Sequence, residues 1–385
     1  MIAISGAGIS GLTLALSLEK RGIPYFIFDS ETKNAKFGSG TLLTPNATRI
    51  YRQLGVLDKI LENSQRIYSW GFVDRKFRLL KRIDFSALET APGAHHLGIH
   101  RANLRNILLE AIPESRFKWS AKASNIRMNE NDIELTLIFD DGLKKNENLK
   151  VDWLIGADGI QSEIRKLIYP EIKPEFAGST VWRGILPKSE WDEAGEDAYE
   201  AWVDGARFGV ISIGLKNVMW FSVISQNSPL GNKKLKKEEW VSFVGRLDKR
   251  LLSLVEKTDE KDINQTDVYE IRVKEPWRQK RVIIVGDAAM GATPNMGQGV
   301  NPAIEDAYGL AVAFEKTSAL KEIDRFLEKR KNKTEKLERM SKIMEGAVNV
   351  KNPTLARIRN AIMRLTPDRI AELGLEQAWE VEDLE

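Results

Sequence analysis

The chain opens on Met1-Ile2-Ala3-Ile4-Ser5, a continuous apolar run of the kind carried by strands buried on both faces, and the run breaks at Gly6-Ala7-Gly8-Ile9-Ser10-Gly11. Apolar positions recur at helical spacing from Leu12 to Arg21, Gly22-Ile23-Pro24 closes that helix, and Tyr25 to Phe28 reads as a second buried strand. The opening is therefore strand, glycine turn, helix, strand. Gly38 to Asn46, rich in Gly, Thr and Pro, reads as a loop, and helical spacing follows from Ala47 to Leu54 and from His100 to Leu109. Lys118 to Arg127 and Ile133 to Phe139 alternate as the arms of a hairpin turned at Asn129-Glu130-Asn131-Asp132, and Trp153 to Gly156 returns to the buried style.

From about Glu175 to Arg272 the texture changes. Ser179 to Ile185, Ala201 to Ile213, Val218 to Ile224 and Asp267 to Val273 read as strands with longer polar connections, the pattern of a second, β-rich domain. Arg281 to Val285 is a third buried strand of the first domain, and helical sequence runs from Asn301 to the end. A chain of 385 residues exceeds what one core usually supports, so two domains are expected.

Composition narrows the chemistry. With 58 basic and 55 acidic residues the net charge is +3, too small for a nucleic-acid binder. No cysteine is present, which excludes disulfides, iron–sulfur clusters and thiolate nucleophiles, so any redox chemistry needs a bound cofactor. His95, His96 and His100 stand together without the acidic spacing of a metal site and are read as loop or core residues. No apolar run is long enough to cross a membrane, and the buried strand that begins the chain leaves no room for a signal segment; cytoplasmic residence is the simplest expectation.

Gly6-x-Gly8-x-x-Gly11 carries the first specific signal. The first glycine permits the turn, the second lets backbone amides approach a pyrophosphate at a helix N-terminus, and the third lets helix and strand pack closely. Asp29 ends the next strand 21 residues after Gly8, where a carboxylate can accept hydrogen bonds from ribose hydroxyls. These residues alone do not choose between NAD and FAD.

Two later segments do. Asp152-Trp153-Leu154-Ile155-Gly156-Ala157-Asp158-Gly159 with Ser162 and Arg165, and Val285-Gly286-Asp287-Ala288-Ala289 with Pro294 and Gly297-Gln298-Gly299, resemble the two internal signatures of the FAD-dependent aromatic hydroxylases, the group A flavoprotein monooxygenases with the p-hydroxybenzoate hydroxylase-like fold. The resemblance covers nearly the whole chain, in the family's order. It implies an α/β protein: a Rossmann-like FAD-binding domain from 1–72, 98–172 and 274–325, a β-rich substrate domain from 73–97 and 173–273, and a C-terminal helical segment, 326–385, packed on the FAD domain. It implies one FAD, transient use of NADPH or NADH without a second dinucleotide fold, and a flavin C4a-hydroperoxide that delivers one atom of O2 to a small aromatic or other electron-rich substrate. A monomer or homodimer without a membrane anchor is expected.

The cofactor residues so implied are Gly6, Gly8, Ser10, Gly11, Asp29, Arg101, Asp158, Asp287, Gly299, Val300 and Asn301. Arg101 matches the family's arginine along the flavin phosphates, and Asp287 its aspartate on a ribityl hydroxyl. Asp158 is read as mainly organising its own turn, and Asn301-Pro302 as the cap and first turn of a helix whose amides face the flavin. Met290 departs from the family, which commonly has histidine there, and removes a titratable group from near the flavin face. No catalytic side chain is assigned; Trp182, Arg183, Phe221, Met290 and Pro294 are pocket candidates. The basic amphipathic stretch Leu355 to Leu365 is expected to pack on the flavin domain. Two alternatives stay open: an epoxidase or reductase acting on a polyene or isoprenoid, and a non-catalytic flavin-fold binding protein.

Overall fold

The computed structural model describes residues 1–34, 38–89, 91–140, 145–191, 198–203, 206–231, 233, 236–244, 248–291, 299–316, 320–350, 352–367 and 379. A sheet of six strands carries the amino-terminal motif. Its order is Arg278–Gln279, Val282–Ile284, Trp153–Gly156, Ile2–Ser5, Tyr25–Asp29, Phe117–Trp119, parallel throughout except for the first, edge strand. Ile2–Ser5 and Trp153–Gly156 are buried along their whole length, as the unbroken apolar runs require. The helices Ile9–Lys20 and Asn301–Lys316 pack on one another beside this sheet.

The expected hairpin forms, but from Ala121–Met128 and Ile133–Phe139, and Glu147–Val151 adds a third strand. Phe117–Trp119 belongs instead to the parallel sheet, because Ser120 takes φ +53° and breaks the run in two. Gly40–Leu43, read as loop, is a strand paired with Leu97–His100, which also pairs with Ser64–Arg66.

The β-rich region is an eight-stranded sheet in the order Met290–Gly291, Asn264–Arg272, Glu175–Pro187, Asn217–Ser225, Ala206–Ile213, Ala198–Val203, Ser69–Asp74, Leu79–Asp84. One face packs Trp182, Phe208 and Trp220 against Leu251, Leu254 and Val255 of the helix Lys249–Lys257. Three of the expected boundaries fall inside elements. The division at 72/73 cuts the strand Ser69–Asp74, 97/98 cuts the strand Leu97–His100, and 325/326 lies within the long helix Leu320–Val348, while Met290–Gly291 pairs across to this sheet.

The carboxy-terminal helices also depart from expectation. Leu320–Val348 begins against Asn301–Lys316 beside the six-stranded sheet, but Pro353–Leu365 packs on the strand Leu79–Asp84, with Met363 in a cluster with Phe72, Leu80, Trp202 and Val348. The reason is reach: a helix of 29 residues, about 1.5 Å each, carries the chain across from one sheet to the other.

Candidate active site

A cavity of about 1390 Å³ lies between the two sheets. That exceeds the roughly 300–1,000 Å³ of a site for one drug-sized ligand, so it has room for a cofactor and a second molecule. At one end stands the glycine turn. Gly6 has φ +101°, and a Cβ there would sit 2.6 Å from the Ala157 carbonyl oxygen; a Cβ on Gly11 would sit 1.9 Å from the Gly6 carbonyl oxygen. Both glycines are therefore fixed by backbone packing, and Gly11 does not itself line the cavity. Gly8 differs: nothing lies within 4 Å of its missing Cβ, and it lines the cavity at the uncapped N-terminus of Ile9–Lys20.

Asp29 sits at the carboxyl end of its strand, where its carboxylate accepts from the Ala7 amide at 2.6 Å and the Glu31 amide at 2.8 Å. It also faces the cavity, leaving lone pairs for a sugar hydroxyl. Arg105, which no motif marks, donates from Nε to the Ala7 carbonyl at 3.1 Å and from Nη1 to the Lys33 carbonyl at 2.8 Å, tying the turn to the segment after Asp29. Its signal was its place one helical turn after Arg101. Arg101 itself begins the helix Arg101–Glu110, capped by the His100 imidazole, and its exposed side chain lines the cavity with no ion pair among the described residues.

The carboxylate of Asp158 accepts from Ser162 Oγ at 2.5 Å and from the Glu163 and Ile164 amides at 2.8 and 3.1 Å, holding the start of the helix Glu163–Ile168. Ser10 lines the cavity and its hydroxyl donates to the Ala303 carbonyl at 3.3 Å. Val300 and Gly299 also line it, whereas Asn301 does not. Asn301 lies inside the helix Asn301–Lys316; the Val300 carbonyl accepts the first helical bond, so Val300 takes the cap position. The Asn301 amide is used at the end of the strand Gly40–Leu43, accepting from the Thr44 amide and donating to the Leu42 carbonyl, both at 3.2 Å.

Asp287 lines the cavity floor. Its side chain is open to the cavity but deep within it, and withdrawal from bulk water pushes its carboxyl up to about 6 despite the Arg101 guanidinium; Asp306 adds to the rise. The turn before it is anchored: Gly286 donates its amide to Asp306 at 3.2 Å, and Arg330 of the long helix pairs with Asp306 at 2.8 Å and with Glu305.

The other wall is the second face of the eight-stranded sheet. Strand alternation puts Val181 and Arg183, Met219, Phe221 and Val223, and Ile211 toward the cavity. Trp182 is thereby turned away, buried with its indole N–H donating to Gln265 at 3.1 Å, and is not a pocket residue. Met290 is not one either: it packs in the core with Val273 and Trp277, so the residue at this position faces protein rather than the cavity. Pro294 lies outside the described residues. Among the described residues no cluster of His, Asp or Glu has metal-binding geometry; His96 is buried, stacked on Phe85 at 3.9 Å and bonded to Glu89 at 3.1 Å.

A turn that only glycine can build, open space over Gly8, a strand-end acid and an unpaired guanidinium fit an extended dinucleotide. The model of the FAD binding domain family matches residues 1–340. The chain belongs to that family. It is 30% identical over 310 residues to the aurachin C monooxygenase/isomerase of Stigmatella aurantiaca, covering 80% of this chain and 79% of that one. It is 26% identical to the 2-heptyl-3-hydroxy-4(1H)-quinolone synthase of Pseudomonas aeruginosa, covering 95% and 94%. The solved structure of Klebsiella pneumoniae HpxO with FAD and uric acid shares the fold, with a TM-score of 0.89, 19% identity, and coverage of 100% and 98%. The chain is thus an FAD-dependent monooxygenase with a Rossmann-like FAD domain. No helix among the described residues is long and apolar enough to cross a membrane.

Proposed function

We propose that this monooxygenase takes electrons from NADH or NADPH in the cytoplasm and hydroxylates a hydroxylated aromatic or heteroaromatic ring bound as its oxyanion. The observation that carries the reading is Arg183. It faces the cavity from the middle of the sheet, and among the described residues no acid pairs with it; desolvation, with a smaller contribution from Arg101, pushes its guanidinium down to about 10. A desolvated, unpaired cation is an expensive state that an anionic ring oxygen relieves. The same oxyanion enriches the neighbouring ring carbons, the positions that an electrophilic oxygen attacks.

In this reading the Gly6–Gly11 turn and Arg101 would hold the FAD diphosphate, Asp29 a ribose hydroxyl, Asp287 a ribityl hydroxyl, and the amides after Val300 the negative charge of the reduced ring. FAD supplies the electron store and the activation of O2. The balance is ring C–H, O2, NAD(P)H and a proton giving ring C–OH, NAD(P)⁺ and water. Arg183 orients the ring, and Val181, Ile211, Phe221 and Val223 exclude water around it. Oxygen transfer to an isoprenoid double bond, or its reduction, needs no oxyanion partner, and Arg183 disfavours both.

The test is NAD(P)H oxidation by the FAD-loaded enzyme over phenols, hydroxyquinolines, polyenes and isoprenoids, with product mass. Expected is coupled turnover on hydroxylated rings, one oxygen gained, and a KM raised at least about thirtyfold by Arg183→Gln, the loss of one charged hydrogen bond of roughly 2 kcal/mol. Turnover confined to polyenes, or an unchanged KM in the variant, overturns it.

A further inference from the structure

We propose that the end of the cavity away from the glycine turn binds a flexible alkyl chain, so that the substrate is a hydroxylated ring carrying a long apolar substituent; this rests on the hydroxylase reading and specifies its substrate. Met340, Ile343, Met344 and Ala347 recur at i, i+3, i+4 and i+7 on the long helix and turn one face of it to the cavity. Opposite stand Trp70 and Phe72 of the strand Ser69–Asp74, and Met363 of the terminal helix closes the side.

This annex is built rather than left over. Arg359 of the terminal helix donates to the Ala347 and Val348 carbonyls at 3.1 Å, joining the two helices, and Lys81 donates to the Thr366 carbonyl at 2.6 Å, joining them to the sheet. Its two charged side chains nearest the sheet are spent on neighbours: Glu200 accepts from the Trp202 indole at 2.8 Å and lies 3.6 Å from Arg207. The rings of Trp70 and Trp379 also line it, each with its indole N–H buried and without a hydrogen-bond partner in the structure. Three methionines, unbranched and polarisable, suit a chain that changes conformation better than a second rigid ring. Ile343, 76% exposed while lining the cavity, marks where the annex opens outward and lets a long chain run on.

The experiment uses FAD-loaded enzyme and 2-alkyl-4-hydroxyquinolines from methyl to nonyl, with Kd from the change in flavin absorbance and turnover recorded separately. Each methylene buried should tighten Kd about fourfold until the annex is full. Ala347→Trp, which fills the annex from a half-buried helix position, should weaken the nonyl compound more than tenfold and the methyl compound less than threefold, and Met344→Ala should move the plateau to longer chains. A Kd independent of chain length, or equal losses for short and long members in Ala347→Trp, overturns the annex. Chain-length-dependent binding without hydroxylation of any member keeps the annex and overturns the hydroxylase reading.

Discussion

Two glycines of one motif should fail in opposite ways. In Gly11→Ala the new methyl meets the Gly6 carbonyl oxygen at 1.9 Å, a backbone atom that cannot rotate aside, so the turn or the helix must shift. Overpacking of this kind costs about 1–3 kcal/mol or more. In Gly8→Ala the backbone is extended, with φ −78° and ψ −177°, a conformation alanine adopts freely, and no protein atom lies within 4 Å of the new carbon. The flavin-free protein should keep its stability to within about 0.5 kcal/mol. The methyl instead occupies the space a diphosphate needs to reach the helix amides; losing two such hydrogen bonds to a charged group is worth roughly 3 kcal/mol, or about a hundredfold in FAD affinity. Urea unfolding of the flavin-free variants and titration of FAD by fluorescence quenching separate the two effects. If Gly8→Ala bound FAD as the parent does, the diphosphate would not lie on this turn. If Gly11→Ala unfolded at the parental urea concentration, the contact with Gly6 would not constrain the fold.

Asp287 ionises at about 6 in the folded chain against 3.8 ordinarily, so between those values the folded state holds the extra proton. Stability of the flavin-free protein should therefore be greatest below pH 4 in this contribution and fall as pH rises through 6; Asp287→Asn should remove that slope, and an unchanged pH profile would show that the carboxyl is not desolvated. Arg330→Met leaves Glu305 and Asp306 buried, with Lys333, 2.9 Å from Glu305, the one remaining cation paired with them among the described residues. A loss of about 3–5 kcal/mol at pH 8 is expected, smaller at pH 5 because burial already raises the Asp306 carboxyl toward protonation. An equal loss at both pH values in chemical denaturation would contradict the network.

The flavin half was legible because its chemistry is carried by backbone. A turn that must pass under a carbonyl and leave a helix N-terminus open leaves glycines at fixed spacing, and Gly6, Gly8 and Gly11 with Asp29 mark it. What escaped there were side chains that serve the backbone. Arg105, bonded to the Ala7 and Lys33 carbonyls, and Arg330, bonded to Asp306, read as ordinary helix-face arginines because nothing local marks the carbonyl or acid they reach across the fold.

The substrate half was legible only as texture, and for a physical reason. Its sheet is apolar on both faces, one on the core and one on the cavity, so the sequence of Val181, Trp182 and Arg183 does not say which neighbour faces the ligand. Register decides it: pairing Arg183 with Phe221 puts both on the cavity side and sends Trp182 into the core. The last wall comes from helices that composition alone assigns to solvent or to the flavin domain, and only the length of Leu320–Val348 brings Met340 and Met344 over the second sheet. The dinucleotide turn is thus set by local spacing, whereas substrate choice depends on how far one helix reaches, and a change in that helix should alter chain-length preference before it alters FAD binding.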